Sequence, residues 1–271
     1  MNHPLGLVHC LNIEAYHASP GISKSGLDDM DPPARYYALH LDPKRPAREQ
    51  TASQRAGQLA HCAILEPEEF GKRYAVGPDC SRATKIWKEW EASLPRSVKA
   101  IKPDEYETAM RQRESALNLP GMAEILSAGK AEVSAFWEDP YTGVLCRCRP
   151  DFVAENGPLI DLKTVGRGDT YGFSRQAVNL RYHVQDAFYT WGYSAASKEA
   201  ERDFWFLTVE TEYPFLASLH RLPVEAKNEG LAVIRNQLDT YAECLLHSEW
   251  PGYSPEVQTV DWPAWALTQE I

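Results

Sequence analysis

Two charged residues, Asp161 and Lys163, interrupt the apolar run LIDLKT at residues 159–164. Burying an unpaired charge is costly, so the two side chains must either pair with each other or hold a ligand. Side chains alternate between the two faces of a strand, which puts Asp161 and Lys163 on one face and the alternate apolar residues on the other. We therefore expect the carboxylate and the ammonium to project side by side from an otherwise apolar strand.

A third charged residue, Asp151, lies on the preceding predicted strand, which the turn sequence ENGP at 155–158 joins to the first. This short turn is expected to bring the carboxylates of Asp151 and Asp161 within a few ångströms of each other. Carboxylates at that distance repel unless a proton or a divalent cation lies between them. Oxygen ligands suit Mg²⁺ or Mn²⁺, and the ammonium of Lys163 could then activate a water or stabilise charge on phosphorus. The simpler alternative is an Asp–Lys surface pair on an edge strand.

The surrounding pattern predicts an α/β (α+β) fold, in which helices flank a central mixed β-sheet. A helix is expected within 54–70, ending before Pro67, and two charged amphipathic helices are expected at 84–94 and 103–118. Neither a repeat nor a long linker divides the sequence, so a single domain over 1–271 is the default interpretation. Its three parts are a mainly helical region at 1–125, a catalytic sheet and helix at 126–222, and a helix with an acidic tail at 223–271.

Alternation with period two predicts an antiparallel hairpin, with strands at 132–137 and 144–153 around a turn at 139–143. Cys146 and Cys148 share one face of the second strand and are expected to be buried thiols, with structural zinc as a minor alternative. The elements predicted after the strand at 159–164 are a long helix at about 173–195, strands at 204–209 and 215–219, and a helix of roughly 25 residues opened by Pro223.

The charge distribution allows a nucleic-acid partner although the net charge is −10. Phosphate binding depends on Lys and Arg, so the net charge alone argues against such a partner. Residues 241–271, however, carry five acids and no Lys or Arg, whereas 82–113 has eight Lys or Arg against five acids and 163–183 has four against one. No apolar run reaches the roughly 18 residues of a membrane span, and the N-terminus lacks a signal-peptide pattern, so a cytoplasmic location without membrane association is expected.

Several motifs together resemble one nuclease family. In chain order they are ISKSGLDDM, GQLAHCAILEPEEF, WEDPYTGVLCRCRPD, the D-x-K strand, YHVQDAFYTWGY and EWPGY. They resemble the C-terminal nuclease domain of the RecE (exonuclease VIII) family, which belongs to the PD-(D/E)xK superfamily with lambda exonuclease and the RecB nuclease domain. The resemblance extends from about Tyr16 to Ala266.

The resemblance implies a role for each residue that matches a family motif. His61, Asp151, Asp161 and the backbone carbonyl of Leu162 become metal ligands, and Lys163 becomes the catalytic lysine. Considered without the family, a lone helical His61 is more simply a core or surface residue.

Glu132 corresponds to the strand glutamate of the family, either as a direct ligand or as a supporting partner, and its alternative is a solvent-facing acid. Gln185 and Tyr189 match the family's Q-x-x-x-Y element. Being four residues apart, they share one helix face and could reach a phosphate or a metal-bound water together. The residues expected to contact DNA are Arg149, Thr164, Arg175, Arg181, Tyr182 and His183.

The activity that the resemblance implies is processive 5′→3′ degradation of one strand of duplex DNA from an end. It would use two Mg²⁺ ions per site, with Mn²⁺ as a substitute, and would release 5′-mononucleotides. The remaining 3′ single strand would serve homologous recombination by strand annealing. The family also implies a ring of three or four subunits and a RecT-like single-strand annealing protein as partner.

Three alternatives to this exonuclease remain open. The first, a RecB-like nuclease of the iron–sulfur branch, is disfavoured because only Cys244 lies late in the chain. The second is a structure-specific or restriction endonuclease with the same metal site. The third is a non-catalytic DNA-end-binding protein, which we would expect to have lost a ligand or the lysine.

Overall fold

The computed structural model describes residues 5–46 and 50–261. Residues 262–271, which include Glu270 of the acidic tail and the end of the predicted resemblance at Ala266, lie outside these ranges. The elements up to residue 127 are β1 (Gly6–Val8), α1 (Ile13–Ala18), α2 (Lys24–Asp28), α3 (Pro33–Tyr36), a π-helical turn (Tyr37–Leu41), α4 (Ala52–Leu65), α5 (Pro67–Arg73), β2 (Tyr74–Val76), α6 (Lys85–Ala92), β3 (Lys99–Ile101), α7 (Pro103–Leu117) and α8 (Met122–Ser127).

Strands dominate the next part of the chain, and a long helix follows them. The elements are β4 (Gly129–Ala131), β5 (Ser134–Glu138), β6 (Leu145–Cys148), β7 (Phe152–Ala154), β8 (Leu159–Val165), α9 (Thr170–Asn179), α10 (Tyr182–Ser197), β9 (Phe204–Glu210), β10 (Ala217–His220) and α11 (Val224–His247). Among the described residues 5–46 and 50–261, no helix has both the length and the apolar character needed to span a membrane.

Five strands form the central sheet in the order β10-β9-β8-β7-β4. β8 and β9 are parallel, and the other neighbours are antiparallel, so the sheet is mixed. Its helices lie on both faces. On one face, Ile160 and Leu162 of β8 pack against α4, α7 and α8, whereas on the other Leu159 packs against α9 and α10. The predicted fold class and the predicted faces of β8 are therefore confirmed.

A second sheet, ordered β1-β5-β6, lies beside the first and contains the predicted hairpin. Its buried face packs on α10 and α11, and Cys146 and Cys148 are fully buried there as free thiols. The prediction of one continuous strand over 144–153 is wrong. The chain leaves this sheet after Cys148 and joins the central sheet at Phe152, because Pro150 has no N–H to donate to a strand ladder.

The strand predicted at 132–137 is likewise divided between the two sheets. β4 belongs to the central sheet and β5 to the smaller one, and Glu132 lies between them with φ at +57°. The chain crosses between the two sheets a second time on the segment between β6 and β7, which contains Asp151. The N–H of Glu132 donates a hydrogen bond of 2.9 Å to the carbonyl of Asp151. The two crossings are therefore tied together directly beside the strand that carries Asp161.

The single helix predicted at 173–195 is two helices, α9 and α10. The break lies at Arg181, whose φ is +54°, and Leu180 is 50% exposed instead of belonging to the core stripe. Contacts from distant parts of the chain hold this break: the Arg181 guanidinium lies 3.2 Å from Asp28 and donates to the Gln237 side chain at 3.1 Å. The apolar repeat continues through the break, so the sequence pattern did not indicate it.

The remaining predicted elements lie close to their predicted ranges, except that the strand expected at 215–219 begins only at Ala217, because Phe215 has φ at +60° and lies outside it. α4 begins with a capping box formed by Thr51 and Gln54 and ends before Pro67, which opens α5. α6, α7, β9, β10 and α11 correspond to the predicted amphipathic helices, the later strands and the final helix.

Candidate metal centre

Asp161 projects from β8 and is held by side chains from two directions. The residue is only 2% exposed, and Oδ1 of its carboxylate accepts a hydrogen bond from Nε2 of Gln185 on α10. Nζ of Lys163 lies 2.5 Å from Oδ2, a close ionic contact without the alignment of a hydrogen bond. The ammonium also lies 4.8 Å from the ring centroid of Tyr182. The predicted side-by-side arrangement of Asp161 and Lys163 is present.

Asp151 lies on the segment between β6 and β7 and faces the same end of β8. Its Oδ2 accepts a hydrogen bond of 2.8 Å from the N–H of Leu162 and lies 2.9 Å from Nε2 of His61. The N–H and C=O of one strand residue point to the same side, so the Leu162 carbonyl also faces the Asp151 side, beyond the last paired residue of β7. This orientation is the one that a backbone ligand would need.

His61 of α4 and Glu132 complete a compact group with Asp151. Nδ1 of His61 lies 3.9 Å from Oε1 of Glu132, and one ligand atom from each of the three residues lies within 4.8 Å of the others. In residues 5–46 and 50–261 this is the one group of three or more His, Cys, Asp or Glu side chains that is close enough for a shared ion. The group contains Glu132, whereas Asp161, a predicted ligand, stands just outside it with Lys163 and Gln185.

The electrostatics of the acids suit a divalent cation. Burial, together with the charge of Asp151, raises the pKa of Asp161 to about 6, although Lys163 opposes the shift. Burial and Asp151 also raise the pKa of Glu132 to about 7, against the opposing effect of Arg149 and His61. Both carboxyl groups therefore hold a proton more tightly than an exposed acid does, mainly because they are buried, and a bound divalent cation would favour their ionised forms.

The pKa values of the other ionisable groups depend on pairing. Burial alone would lower the pKa of His61, but the contact with the Asp151 carboxylate overcomes burial and raises it to about 9. Burial opposes ionisation of Asp151, yet His61 and then Lys163 hold its pKa below the usual range. Burial would also lower the pKa of Lys163, but Asp161 and Asp151 raise it. The lysine is therefore a stable ammonium beside the acids.

Gln185 and Tyr189, which form the predicted Q-x-x-x-Y pair, have different surroundings. Gln185 is buried and contacts Asp161 directly. Tyr189 packs between two apolar cores and makes an edge-on contact with Phe204. Burial raises the pKa of its hydroxyl well above the usual value, and Tyr16 and Asp161 add to that rise. Gln185 orients the Asp161 carboxylate, whereas Tyr189 packs into the apolar cores.

The residues predicted to contact DNA are dispersed around this centre. Tyr182 lies under Lys163, and Arg181 lies at the break between α9 and α10, where it pairs with Asp28. Arg175 is exposed on α9 and bonds only to Tyr171 among its described polar neighbours.

Thr164 and His183 are half-buried, and Arg149 is nearly enclosed. Thr164 follows Lys163 on β8 and faces Gly57 of α4. The backbone of His183 packs on Gly230 of α11. Arg149 has a side chain that is 9% exposed, and its Nε lies 2.6 Å from Glu132. Phosphate contact by these six residues stays a prediction.

Lys24 of α2 is a residue near the centre that the sequence pattern did not single out. Its ammonium donates to the Leu180 carbonyl at 2.9 Å and lies 2.7 Å from Asp28. Burial lowers its pKa, and the neighbouring charges of Lys163 and Arg181 lower it further. Its position within the ISKSGLDDM motif was the available signal, but an isolated lysine in that motif has no distinctive spacing.

Comparison with known proteins places the fold. A family model described as "PDDEXK-like domain of unknown function (DUF3799)" matches residues 23–263. A solved structure from Eubacterium rectale, titled "putative exonuclease", superposes with a TM-score of 0.59 at 14% identity, covering 96% of this chain and 99% of that one. An alkaline exonuclease from Laribacter hongkongensis is similar at 15% identity over 67% of this chain and 97% of that one, with a TM-score of only 0.25.

No curated protein matches this chain. The family match nevertheless covers most of the sequence, including every residue of the metal centre, and the Eubacterium rectale structure shares the fold. The predicted membership of the PD-(D/E)xK superfamily is confirmed, and the chain belongs to the family of PDDEXK-like domains that this model describes.

Proposed function

We propose that this protein is a metal-dependent deoxyribonuclease that hydrolyses phosphodiester bonds. The observation that carries the proposal is the compact group of His61, Asp151 and Glu132 beside the Asp161–Lys163 pair. Membership of the PDDEXK-like family supports it. This combination of one imidazole, several carboxylates and a buried ammonium is suited to phosphoryl chemistry, in which negative charge must be bound and stabilised.

The residues present fit one or two divalent cations. The holding groups would be His61, Asp151, Glu132, Asp161 and the carbonyl of Leu162, a set dominated by the oxygen atoms that Mg²⁺ and Mn²⁺ prefer. When bound, the cation would polarise the phosphate and ease deprotonation of an attacking water. We propose Mg²⁺ as the ion, with Mn²⁺ as a substitute and two ions per site.

Lys163 supplies the fixed positive charge of the proposed mechanism. Its ammonium is held between Asp161 and the face of Tyr182, so it can donate a hydrogen bond to the reacting phosphate group. Gln185 fixes the opposite oxygen of Asp161. The two contacts keep Asp161 in one orientation, which preserves the geometry of the centre between turnovers.

The finer proposal is a processive 5′→3′ exonuclease that acts on duplex DNA ends and leaves a 3′ single strand for recombination. It rests on the RecE-like motifs, and the description of the Eubacterium rectale protein as an exonuclease supports only the exonuclease part of it. A ring of three or four subunits and a RecT-like annealing partner belong to the same proposal. A ring would let DNA pass through a basic channel although the net charge is −10.

Plasmid degradation tests both levels of the proposal. With Mg²⁺, linear duplex bearing a 5′-phosphate should disappear while covalently closed circles of the same sequence survive, and chelation should stop the reaction. Digestion of the circles would indicate an endonuclease and remove the exonuclease proposal. If neither Mg²⁺ nor Mn²⁺ supports cleavage of either substrate, the nuclease proposal itself is wrong. A mass measurement of the native particle checks the ring, and a monomeric mass would contradict it.

A further inference from the structure

Arg149 lies beside the candidate metal centre, where it forms an ion pair with Glu132. It is on the crossing segment between β6 and β7, two residues before Asp151. Nε of Arg149 lies 2.6 Å from Oε2 of Glu132, and the arginine side chain is 9% exposed. A buried arginine that pairs with a carboxylate restrains both partners, since the alternative is an unpaired buried charge.

The two oxygens of Glu132 have separate neighbours. Oε2 faces Arg149, whereas Oε1 lies 3.9 Å from Nδ1 of His61 and belongs to the group that also includes Asp151. Glu132 itself has φ at +57°, a backbone conformation that non-glycine residues seldom adopt. Glu132 lies between β4 and β5, so the alternation of side chains along a strand does not set the direction of its side chain. A contact with another residue has to fix that direction.

Arg149 is in turn fixed by the N-terminal segment. Its Nη2 donates a hydrogen bond of 2.8 Å to the carbonyl of Leu11, and its guanidinium lies 5.3 Å from the ring centroid of Tyr16. Tyr16 is buried, and the guanidinium of Arg147 lies 5.0 Å from the same ring. One arginine therefore joins three parts of the chain: the segment 11–16, the crossing before β7 and the crossing before β5.

The geometry points to Arg149 as the positioning residue of the metal centre: it holds Oε2 of Glu132 so that Oε1 faces His61 and Asp151. This inference rests on the proposed function, since it requires a divalent cation at that centre. It assigns Arg149 a role different from the phosphate contact that the sequence suggests. Removing a residue that orients a metal ligand in this way typically weakens metal affinity by about 10- to 100-fold.

Binding of Mn²⁺ to the free protein tests the inference without DNA or turnover. Calorimetric titration of Arg149→Ala should give a Mn²⁺ dissociation constant raised about 10- to 100-fold. Arg149→Lys, which keeps a charge but loses the planar fork, should give an intermediate value. Because Arg149 acts through Glu132, the double variant that combines Arg149→Ala with Glu132→Gln should bind Mn²⁺ no more weakly than the single variant Glu132→Gln.

Arg202 offers a matched control. It also joins a backbone carbonyl, that of Ala154, to a glutamate, Glu199, but it lies away from the metal centre. Arg202→Ala should leave the Mn²⁺ dissociation constant unchanged. The circular dichroism spectrum checks that each variant folds, and Arg149→Lys serves if Arg149→Ala does not.

The outcomes separate this inference from the proposed function. If the wild type binds Mn²⁺ and both Arg149 variants bind it equally well, Arg149 has no positioning role. If the variants lose affinity for a DNA end in the absence of any cation while their Mn²⁺ affinity is unchanged, Arg149 is a phosphate contact instead. A wild-type protein that binds no divalent cation overturns the metal centre and this inference together.

Discussion

Asp161 and Asp151 lie close together but have opposite protonation tendencies because their partners differ. Asp151 is paired with His61 and receives the Leu162 N–H, which holds its pKa low. Asp161 is more deeply buried, and the negative charge of Asp151 disfavours its ionisation. Its pKa therefore rises to about 6, although the charge of Lys163 opposes the rise. The lysine therefore has two purposes at residue scale: it compensates a buried acid, and under the proposed function it places a positive charge where a phosphate would bind.

Replacing Lys163 separates these two purposes. Lys163→Ala should lower the rate of DNA hydrolysis by about 100-fold or more, because a fixed electrostatic donor is lost from the site. Binding to a DNA end should change far less. Steady-state rates and filter binding measure the two effects. Lys72→Ala, which removes an exposed lysine paired with Glu69 on α5, is the control and should behave as wild type. Hydrolysis that survives in Lys163→Ala would exclude this lysine from the mechanism.

At the scale of elements, α10 connects the candidate metal centre to α11. One face carries Gln185 to Asp161, and another packs on α11, where Gly230 meets the backbone of His183. The two helices can approach this closely because glycine has no side chain. A methyl group on residue 230 would collide with the backbone carbonyl oxygen of His183, which cannot move without its helix. The position of Gln185 therefore depends on a contact between two helices.

Gly230→Ala should destabilise the protein by about 1 to 3 kcal/mol through this overpacking. Gly71→Ala provides the contrast, because an added methyl group there meets no atom within 4 Å and α5 should gain about 0.5 to 1 kcal/mol. Urea denaturation measures both free energies of unfolding. Equal effects of the two substitutions would show that the α10–α11 contact is not tight.

The same interface contains a buried acid, Asp186, whose pH dependence has a definite sign. Burial raises its pKa from 3.8 to about 6, with Lys227 opposing the shift and Asp203 adding to it. The folded protein therefore binds this proton more tightly than the unfolded chain. The resulting stabilisation is fully present below about pH 4 and is lost as the pH rises through about 6.

Asp186→Asn should thus be more stable than the wild type near pH 8 and equally stable near about pH 4, where Asp186 is protonated. Denaturant midpoints at the two pH values measure the difference. Asp104→Asn, at an exposed position on α7, is the control variant. A variant that is less stable than the wild type at the higher pH would mean that the Lys227 contact outweighs the cost of burial.

The alternation of LIDLKT was sufficient to predict where Asp161 and Lys163 point, because strand periodicity is a local property. The place of Glu132 was not predictable in this way. It lies with φ at +57° at a crossing between two sheets, where its N–H bonds to the Asp151 carbonyl, and strand alternation does not encode such a crossing. His61 reaches the centre from a distant helix, so only resemblance to a family identified it. Tertiary contacts of Arg181 likewise interrupted a helix whose apolar repeat continues.

At the scale of the whole molecule, the candidate metal centre joins parts of the chain that share no local structure. His61 comes from the helical N-terminal half, Glu132 and Asp151 come from the two crossings between sheets, and Asp161 comes from the central sheet. A cation bound by these residues would link all of them at once. Because such a site exists only in the folded chain, binding should stabilise the whole fold.

Mn²⁺ or Mg²⁺ should therefore raise the thermal unfolding midpoint, and chelation should reverse the rise. At a cation concentration 100 times the dissociation constant, the expected stabilisation is about 2.7 kcal/mol. Differential scanning calorimetry measures it. Asp151→Asn should abolish the response, whereas Asp104→Asn should keep it. A midpoint that does not depend on the cation would contradict a site assembled from these elements.

Two backbone amides donate hydrogen bonds to Asp151, and their hydrogen exchange can be used to follow the state of this centre. The amide of Glu132 donates to the Asp151 carbonyl, and the amide of Leu162 donates to its side chain. Protection of these two amides from hydrogen exchange therefore reports separately on the backbone crossing and on the carboxylate. A ligand that reorients only the carboxylate would change the exchange rate at Leu162 alone, whereas separation of the two sheets would expose both amides to solvent.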